Sequence, residues 1–145
     1  MAHRSAGVIV FRNTSKGRKF LVIRSSRKDS SKPEYWDVPK GLLKKNEKGI
    51  DAALRETREE SGIVNFKLFP GFKETIKYFI PYKGKMELKF VAMFLMEVED
   101  DKVVLSWEHD KYEWFSYNEA LVRLTNSEMK KVLRSADKFV ADLKS

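Results

Sequence analysis

The run from Gly41 to Ile63, Gly-Leu-Leu-Lys-Lys-Asn-Glu-Lys-Gly-Ile-Asp-Ala-Ala-Leu-Arg-Glu-Thr-Arg-Glu-Glu-Ser-Gly-Ile, constrains this chain more than any other. From Ile50 on, Ala52, Ala53 and Leu54 favour helix, and nothing interrupts the run before Gly62, the residue type expected just past a helix end. Glu56, Glu59 and Glu60 are therefore expected on one helix. Spacings of three and four bring Glu59 and Glu60 within a turn of Glu56 on the same side. Carboxylates about 5 Å apart repel by roughly 3 kcal/mol per pair at an effective dielectric near 20, so something positive should sit among them. Hard oxygen donors suit Mg2+ or Mn2+, and the chain offers no Cys and no paired His as softer ligands. The plain alternative is a solvated helix face neutralised by Arg55 and Arg58.

The loop in front of the helix decides between these. The order Gly, five residues, Glu, seven residues, Arg-Glu, an uncharged residue, any residue, Glu-Glu, any residue, Gly, apolar is met by Gly41, Glu47, Arg55, Glu56, Thr57, Glu59, Glu60, Gly62 and Ile63. This pattern resembles the Nudix box, the signature of the Nudix hydrolases. Thr57, where the box prefers an aliphatic residue, is a mild departure that removes no chemistry.

The resemblance implies an α+β fold, an α/β/α sandwich around a mixed sheet, formed as one domain over residues 1–145. It also implies a loop-helix-loop that holds divalent cations against a substrate diphosphate while water attacks phosphorus. Position by position, Glu56, Glu59 and Glu60 become the expected metal ligands, with Glu59 also the expected general base. Arg55 is expected to orient a Glu through a charge-assisted hydrogen bond. Glu47 matches the first Glu of the box and is expected to support rather than ligate. Gly41 would let the backbone approach the metal, and Gly62 would cap the helix.

Composition agrees with a single globular domain: 145 residues, 42% hydrophobic and 12% aromatic. No 18-residue apolar run is present and the start of the chain has no signal-peptide-like apolar region, so neither a membrane span nor secretion is expected. The absence of Cys fits a reducing compartment, and a cytoplasmic location is the expectation. A formal charge of +8 points to an anionic partner: a nucleotide or polyphosphate, an RNA 5′ end, or an acidic lipid surface. Nothing suggests an obligate protein partner.

Ahead of the box, Ala6 to Phe11 and Phe20 to Ile23 read as paired strands, joined by a polar turn from Asn13 to Lys19. Arg24 to Lys32 is a polar loop, either a solvated connection or a basic rim for phosphates. Trp36, followed by Pro39-Lys40-Gly41, again resembles Nudix hydrolases, in which this segment lines the entrance of the site. Lys40 is expected to bind phosphate as a point charge.

Behind the box, Val64 to Leu68 reads as a strand. The runs 71–80 and 86–98 read as a hairpin closed over Pro81 to Lys85. The segment from Gly71 to Tyr78 is similar to the matching part of diadenosine tetraphosphate hydrolases, which makes Tyr78 a candidate platform for a base, with a core role the alternative. Leu105-Ser106-Trp107-Glu108-His109, followed by Tyr112 and Trp114, also resembles those hydrolases. That resemblance makes Glu108 a fourth metal carboxylate and Tyr112 a substrate contact, while His109 receives no chemical role. Trp114 and Phe115 are expected in a short final strand. Ser116-x-x-Glu119 and Thr125-x-x-Glu128 read as capping boxes opening two helices. The second helix carries an apolar stripe from Met129 to Leu143, and Phe139 on it is a further candidate contact for a base.

The expected activity is divalent-metal-dependent hydrolysis of a nucleoside diphosphate linked to another moiety. Dinucleoside polyphosphates such as diadenosine tetraphosphate, giving ATP and AMP, are the preferred substrates. The residues before the box, Glu34-Tyr35-Trp36-Asp37-Val38-Pro39, lack the His pair that eukaryotic members carry there. RNA 5′-pyrophosphohydrolysis and diphosphoinositol polyphosphate hydrolysis therefore stand as alternatives, and a nucleotide- or RNA-binding module without turnover as a third.

Overall fold

The computed structural model describes residues 2–27 and 31–143. Among the described residues eleven elements follow one another: β1 (His3–Thr14), β2 (Gly17–Ser25), β3 (Trp36–Asp37), β4 (Lys40–Leu42), α1 (Gly49–Ser61), β5 (Lys67–Leu68), β6 (Glu74–Tyr82), β7 (Lys85–Glu97), β8 (His109–Ser116), α2 (Tyr117–Arg123) and α3 (Ser127–Leu143). The strands form one mixed sheet. Its path is β3-β2-β1-β7-β5, with β4 beside β1, β6 beside β7 and β8 beside β2; β1 and β7 run parallel and the other pairs antiparallel.

The sheet is the middle layer because both of its faces are apolar. Alternate residues of β1 and β2 go to opposite sides. Ala6, Val8, Val10, Leu21 and Ile23 meet Ala52 and Ala53 of α1, whereas Ile9, Phe11, Phe20 and Val22 meet Met129, Val132, Leu133 and Ala136 of α3. The expected α/β/α sandwich is thus present. Thr57, the departure within the box, is buried without cost because its hydroxyl donates to the Ala53 carbonyl at 2.8 Å.

Several elements differ from expectation for local reasons. Only Lys67–Leu68 of the expected strand 64–68 pairs, because β6 occupies β7 up to Met93 and leaves Met96 and Glu97 as the partners of β5. The final strand is longer than Trp114 and Phe115, since β8 follows β2 from Lys19 to Ser25. The hairpin turn narrows to Lys83 and Gly84, both at positive φ (50° and 77°). The Ser116–Glu119 capping box forms with both of its bonds. Thr125 caps nothing: its hydroxyl accepts from the Trp36 N–H, and the Asn126 side chain accepts from Glu128 and Met129 in its place. Of the polar loop 24–32, residues 28–30 lie outside the described part.

Candidate active site

The site begins at the close approach of β4 to α1. Gly41 pairs with Ala6, and a Cβ at Gly41 would overlap the Glu56 carboxylate, so a side chain there would push that carboxylate from its place. At the far end of α1, Gly62 adopts φ +74° and donates its N–H to the Arg58 carbonyl, ending the helix as expected.

Arg55 ties the loop to the helix. Its Nε and Nη2 each donate to Glu47 at 2.9 Å, Nη2 also donates to the Leu42 carbonyl at 3.0 Å, and Nη1 reaches Glu56 at 3.1 Å and Glu59 at 3.3 Å. Glu47 additionally accepts from the Lys44 N–H. The Arg55 bonds, followed by that backbone bond, draw Glu47 down to about 2, so it stays anionic as a strut. Arg55 itself is raised, chiefly by the hydrogen bonds to Glu47.

Glu60 is 5% exposed and accepts from the Lys40 backbone N–H at 3.1 Å. Burial, reinforced by the charges of Glu56 and Glu108, pushes it up to about 8. Glu56 is raised by burial as well, with Glu59 and Glu108 adding to the effect and Arg55 opposing it. Glu108 lies just ahead of β8, remote in sequence, yet both helix carboxylates feel its charge. Glu59 is exposed beyond Arg55.

Among the described residues, no three Asp, Glu, His or Cys side chains converge into a finished coordination cluster. The reason is visible in the hydrogen bonds: Arg55 holds Glu56 and Glu59, and the Lys40 N–H holds Glu60. The donor set nonetheless fits a hard divalent cation in type and in charge: Arg55 pairs with Glu56 and Glu59, while burial and then the Glu56 and Glu108 charges disfavour the Glu60 carboxylate, which a cation would favour.

Beside this acidic corner lies a second cluster, on the α3 side of the sheet. The Lys40 ammonium sits 3.2 Å from Asp37, whose other oxygen accepts from the Val38 N–H; Asp37 is 5% exposed. Burial would lower the Lys40 ammonium, but the charge and hydrogen bond of Asp37 outweigh it and the group is raised. Tyr78 stands against Lys40, its phenol raised by burial. Lys89 is the cross-strand partner of Tyr78, and burial followed by the Lys40 charge pulls it down to about 8. Tyr35 and His109 border the same cluster. Burial raises the first and lowers the second, and Asp37 and Lys40 act on both.

Sequence reasoning thus reached Lys40 and Tyr78 and missed Asp37, Lys89 and Tyr35. The register that sets Lys89 opposite Tyr78 is the only signal for Lys89, and it exists once the turn is fixed at Lys83 and Gly84. Two candidates do not join the cluster. Tyr112 pairs with Ile23 and shares its face, the α1 side, opposite to that of Tyr78. Phe139 packs edge-on against Phe72 at 5.6 Å and beside Gly71, as part of the α3 core. A concavity of about 500 Å³ lies elsewhere, between residues 65–67 and 97–100.

Residues 1–136 match the NUDIX domain model. The asymmetrical bis(5′-nucleosyl)-tetraphosphatase of Mus musculus is 33% identical over 150 residues, covering 97% of each chain. A crystal structure of a C. elegans Ap4A hydrolase binary complex superposes with a TM-score of 0.83 at 30% identity, covering 97% of this chain and 98% of that one. The mRNA-decapping protein g5R of an African swine fever virus isolate is 32% identical over 99 residues, 65% of this chain and 39% of that protein.

Proposed function

The chain belongs to the Nudix family, and from that premise we propose that it hydrolyses dinucleoside polyphosphates, with diadenosine tetraphosphate the preferred substrate and ATP and AMP the products. The observation that carries this reading is the adjacency of the two clusters. Lys40 contributes its backbone N–H to the carboxylate corner and its ammonium to the Lys89–Tyr78 pair, so a polyphosphate held by the lysines would present a phosphorus to the carboxylates. The full-length similarity to tetraphosphatases supports the same substrate class.

Glu56, Glu59, Glu60 and Glu108 would hold Mg2+ or Mn2+. When bound, such a cation neutralises phosphate oxygens, lowers the pKa of water and orients the leaving group. The chain's own residues supply the rest. Glu59, exposed at the rim of the helix, takes a proton from the attacking water as general base. Arg55, fixed by Glu47, orients Glu56. Lys40 and Lys89 neutralise the polyphosphate, and Tyr78 offers a ring face or a phenol to the nucleotide. No helix among the described residues is long and apolar enough to cross a membrane, and the chain has no Cys; a cytoplasmic setting is part of the proposal.

The match to g5R favours one second reading, in which the nucleotide is the 5′ end of an RNA. Incubation with diadenosine tetraphosphate and, separately, with 5′-triphosphorylated and capped RNA tests the choice. Faster release of ATP from the dinucleotide supports the first reading, and turnover of RNA alone replaces it with the second.

A further inference from the structure

The hairpin β6–β7 turns Tyr78 and Lys89 toward the candidate site with one face and leaves the other largely uncovered. Residues opposite one another across a ladder project to the same side. Lys77 lies opposite Phe90, and Phe90 lies opposite Arg4 in the parallel neighbour, so one row crosses three strands. The next rows set Phe79 opposite Leu88 and Pro81 opposite Met86. The Arg4 guanidinium stands 5.1 Å from the Phe90 ring centre, and the Lys73 ammonium 5.9 Å from that of Phe94. Helix α1 covers the part of this face nearest Ala92, Phe94 and Met96, with Gly49 at its start against Ala92 and Phe94. Farther out, Phe79 is 65% and Met86 63% exposed.

Charge is sorted across the sheet. Glu74, Glu87 and Glu97, the acids of β6 and β7, all fall on the other face by strand alternation, and Glu87 is engaged there by His3 at 2.6 Å. The open face therefore carries cations and rings without an acid from either strand. A groove of about 200 Å³, lined by Arg4, Leu43, Gly49, Lys73 and Phe90 among others, separates it from the box loop, whose Lys44, Lys45 and Lys48 are exposed.

We propose that this face binds single-stranded nucleic acid, with phosphates on Arg4, Lys73 and Lys77 and a base stacked on Phe79. Cations of one sign interleaved with rings on a flat sheet match what a single strand presents, a line of phosphates with a π-face at each base. The protruding apolar groups, Phe79 and Met86, are flanked by Lys77 and by Phe90 and Phe94 set beneath cations, so rings and cations alternate on this face rather than forming the continuous apolar surface a bilayer would take up. A protein partner would be matched by a face of mixed charge. The inference goes beyond the hydrolytic reading and does not depend on it: Tyr78 and Lys89 lie on the opposite face of the hairpin, and none of Arg4, Lys73, Lys77 and Phe79 belongs to the carboxylate corner or the lysine cluster.

The test is fluorescence anisotropy with a 3′-labelled 5′-hydroxyl oligouridylate 12-mer, which has no phosphoanhydride and cannot be turned over. We expect binding that weakens steeply as salt rises. The double variant K73E/K77E and, separately, F79A should each lower affinity at least tenfold, with diadenosine tetraphosphate turnover and circular dichroism unchanged. Absence of oligonucleotide binding, or binding indifferent to K73E/K77E, overturns the proposal. So does loss, in the same variants, of binding to phosphatidylserine vesicles with no oligonucleotide binding at all, which would assign the face to a membrane.

Discussion

Arg55 and Glu47 face each other through two parallel hydrogen bonds of 2.9 Å across eight residues of sequence, joining the loop before α1 to the helix itself. The same guanidinium reaches Glu56 and Glu59, so Glu47 helps to position these candidate carboxylates through Arg55. Glu47→Gln keeps the shape and removes the charge of this strut. It should lower kcat about 10- to 100-fold, the cost typical of losing a partner behind a metal ligand, with the fold retained. Steady-state kinetics beside circular dichroism check this, and unchanged kcat would remove Glu47 from the machinery.

Glu59→Gln and Glu60→Gln should each reduce turnover by at least 100-fold while leaving the circular dichroism spectrum intact. Isothermal titration with Mn2+ should show weakened metal binding in the same variants. Near-normal activity in both would sink the carboxylate assignment.

The buried carboxyl of Glu60 makes the stability of the metal-free protein depend on pH. Its folded value, about 8, lies above its ordinary value of 4.5. The folded state thus holds the proton more tightly, and the resulting stability is fully present below pH 4.5 and lost as pH rises to about 8. Urea midpoints in EDTA should fall between pH 5 and 8, and Glu60→Gln should flatten the fall. Mg2+ or Mn2+ should restore stability at pH 8, because a cation favours the carboxylate. Flat midpoints in the wild-type protein would contradict the burial of a protonated Glu60.

Lys89 is held down to about 8, so its charge is lost as pH passes that value. The KM for diadenosine tetraphosphate should rise above pH 8 more steeply in the wild-type protein than in Lys89→Met, whose KM should already be raised about tenfold at pH 7. Tyr78→Ala should raise KM far more than it lowers kcat. Equal KM values in all three proteins would move the substrate away from this cluster.

The carboxylate corner was legible in the sequence because its chemistry is local. Arg55, Glu56, Glu59 and Glu60 lie within two turns of one helix, and Gly41, Glu47 and Gly62 frame it in 23 consecutive residues. Glu108 was legible only through resemblance, as no spacing rule links a loop to a helix 48 residues away. The lysine cluster was only half legible. Lys40 announces itself by its place before Gly41, but Lys89 is one of many lysines until the turn at Lys83 and Gly84 sets it opposite Tyr78. Tyr112 shows the reverse: its motif is readable, and strand alternation sends it to the other face. Likewise Thr125 spells a capping box with Glu128, yet the Trp36 N–H takes its hydroxyl.

Product analysis with diadenosine tetraphosphate and Mg2+, by anion-exchange chromatography, tests the joint work of the two clusters most directly. Asymmetric cleavage to ATP and AMP, abolished in Glu60→Gln and weakened at low substrate in Lys89→Met, is the expected result. Two molecules of ADP, or no turnover by a folded protein that binds Mn2+, would contradict it.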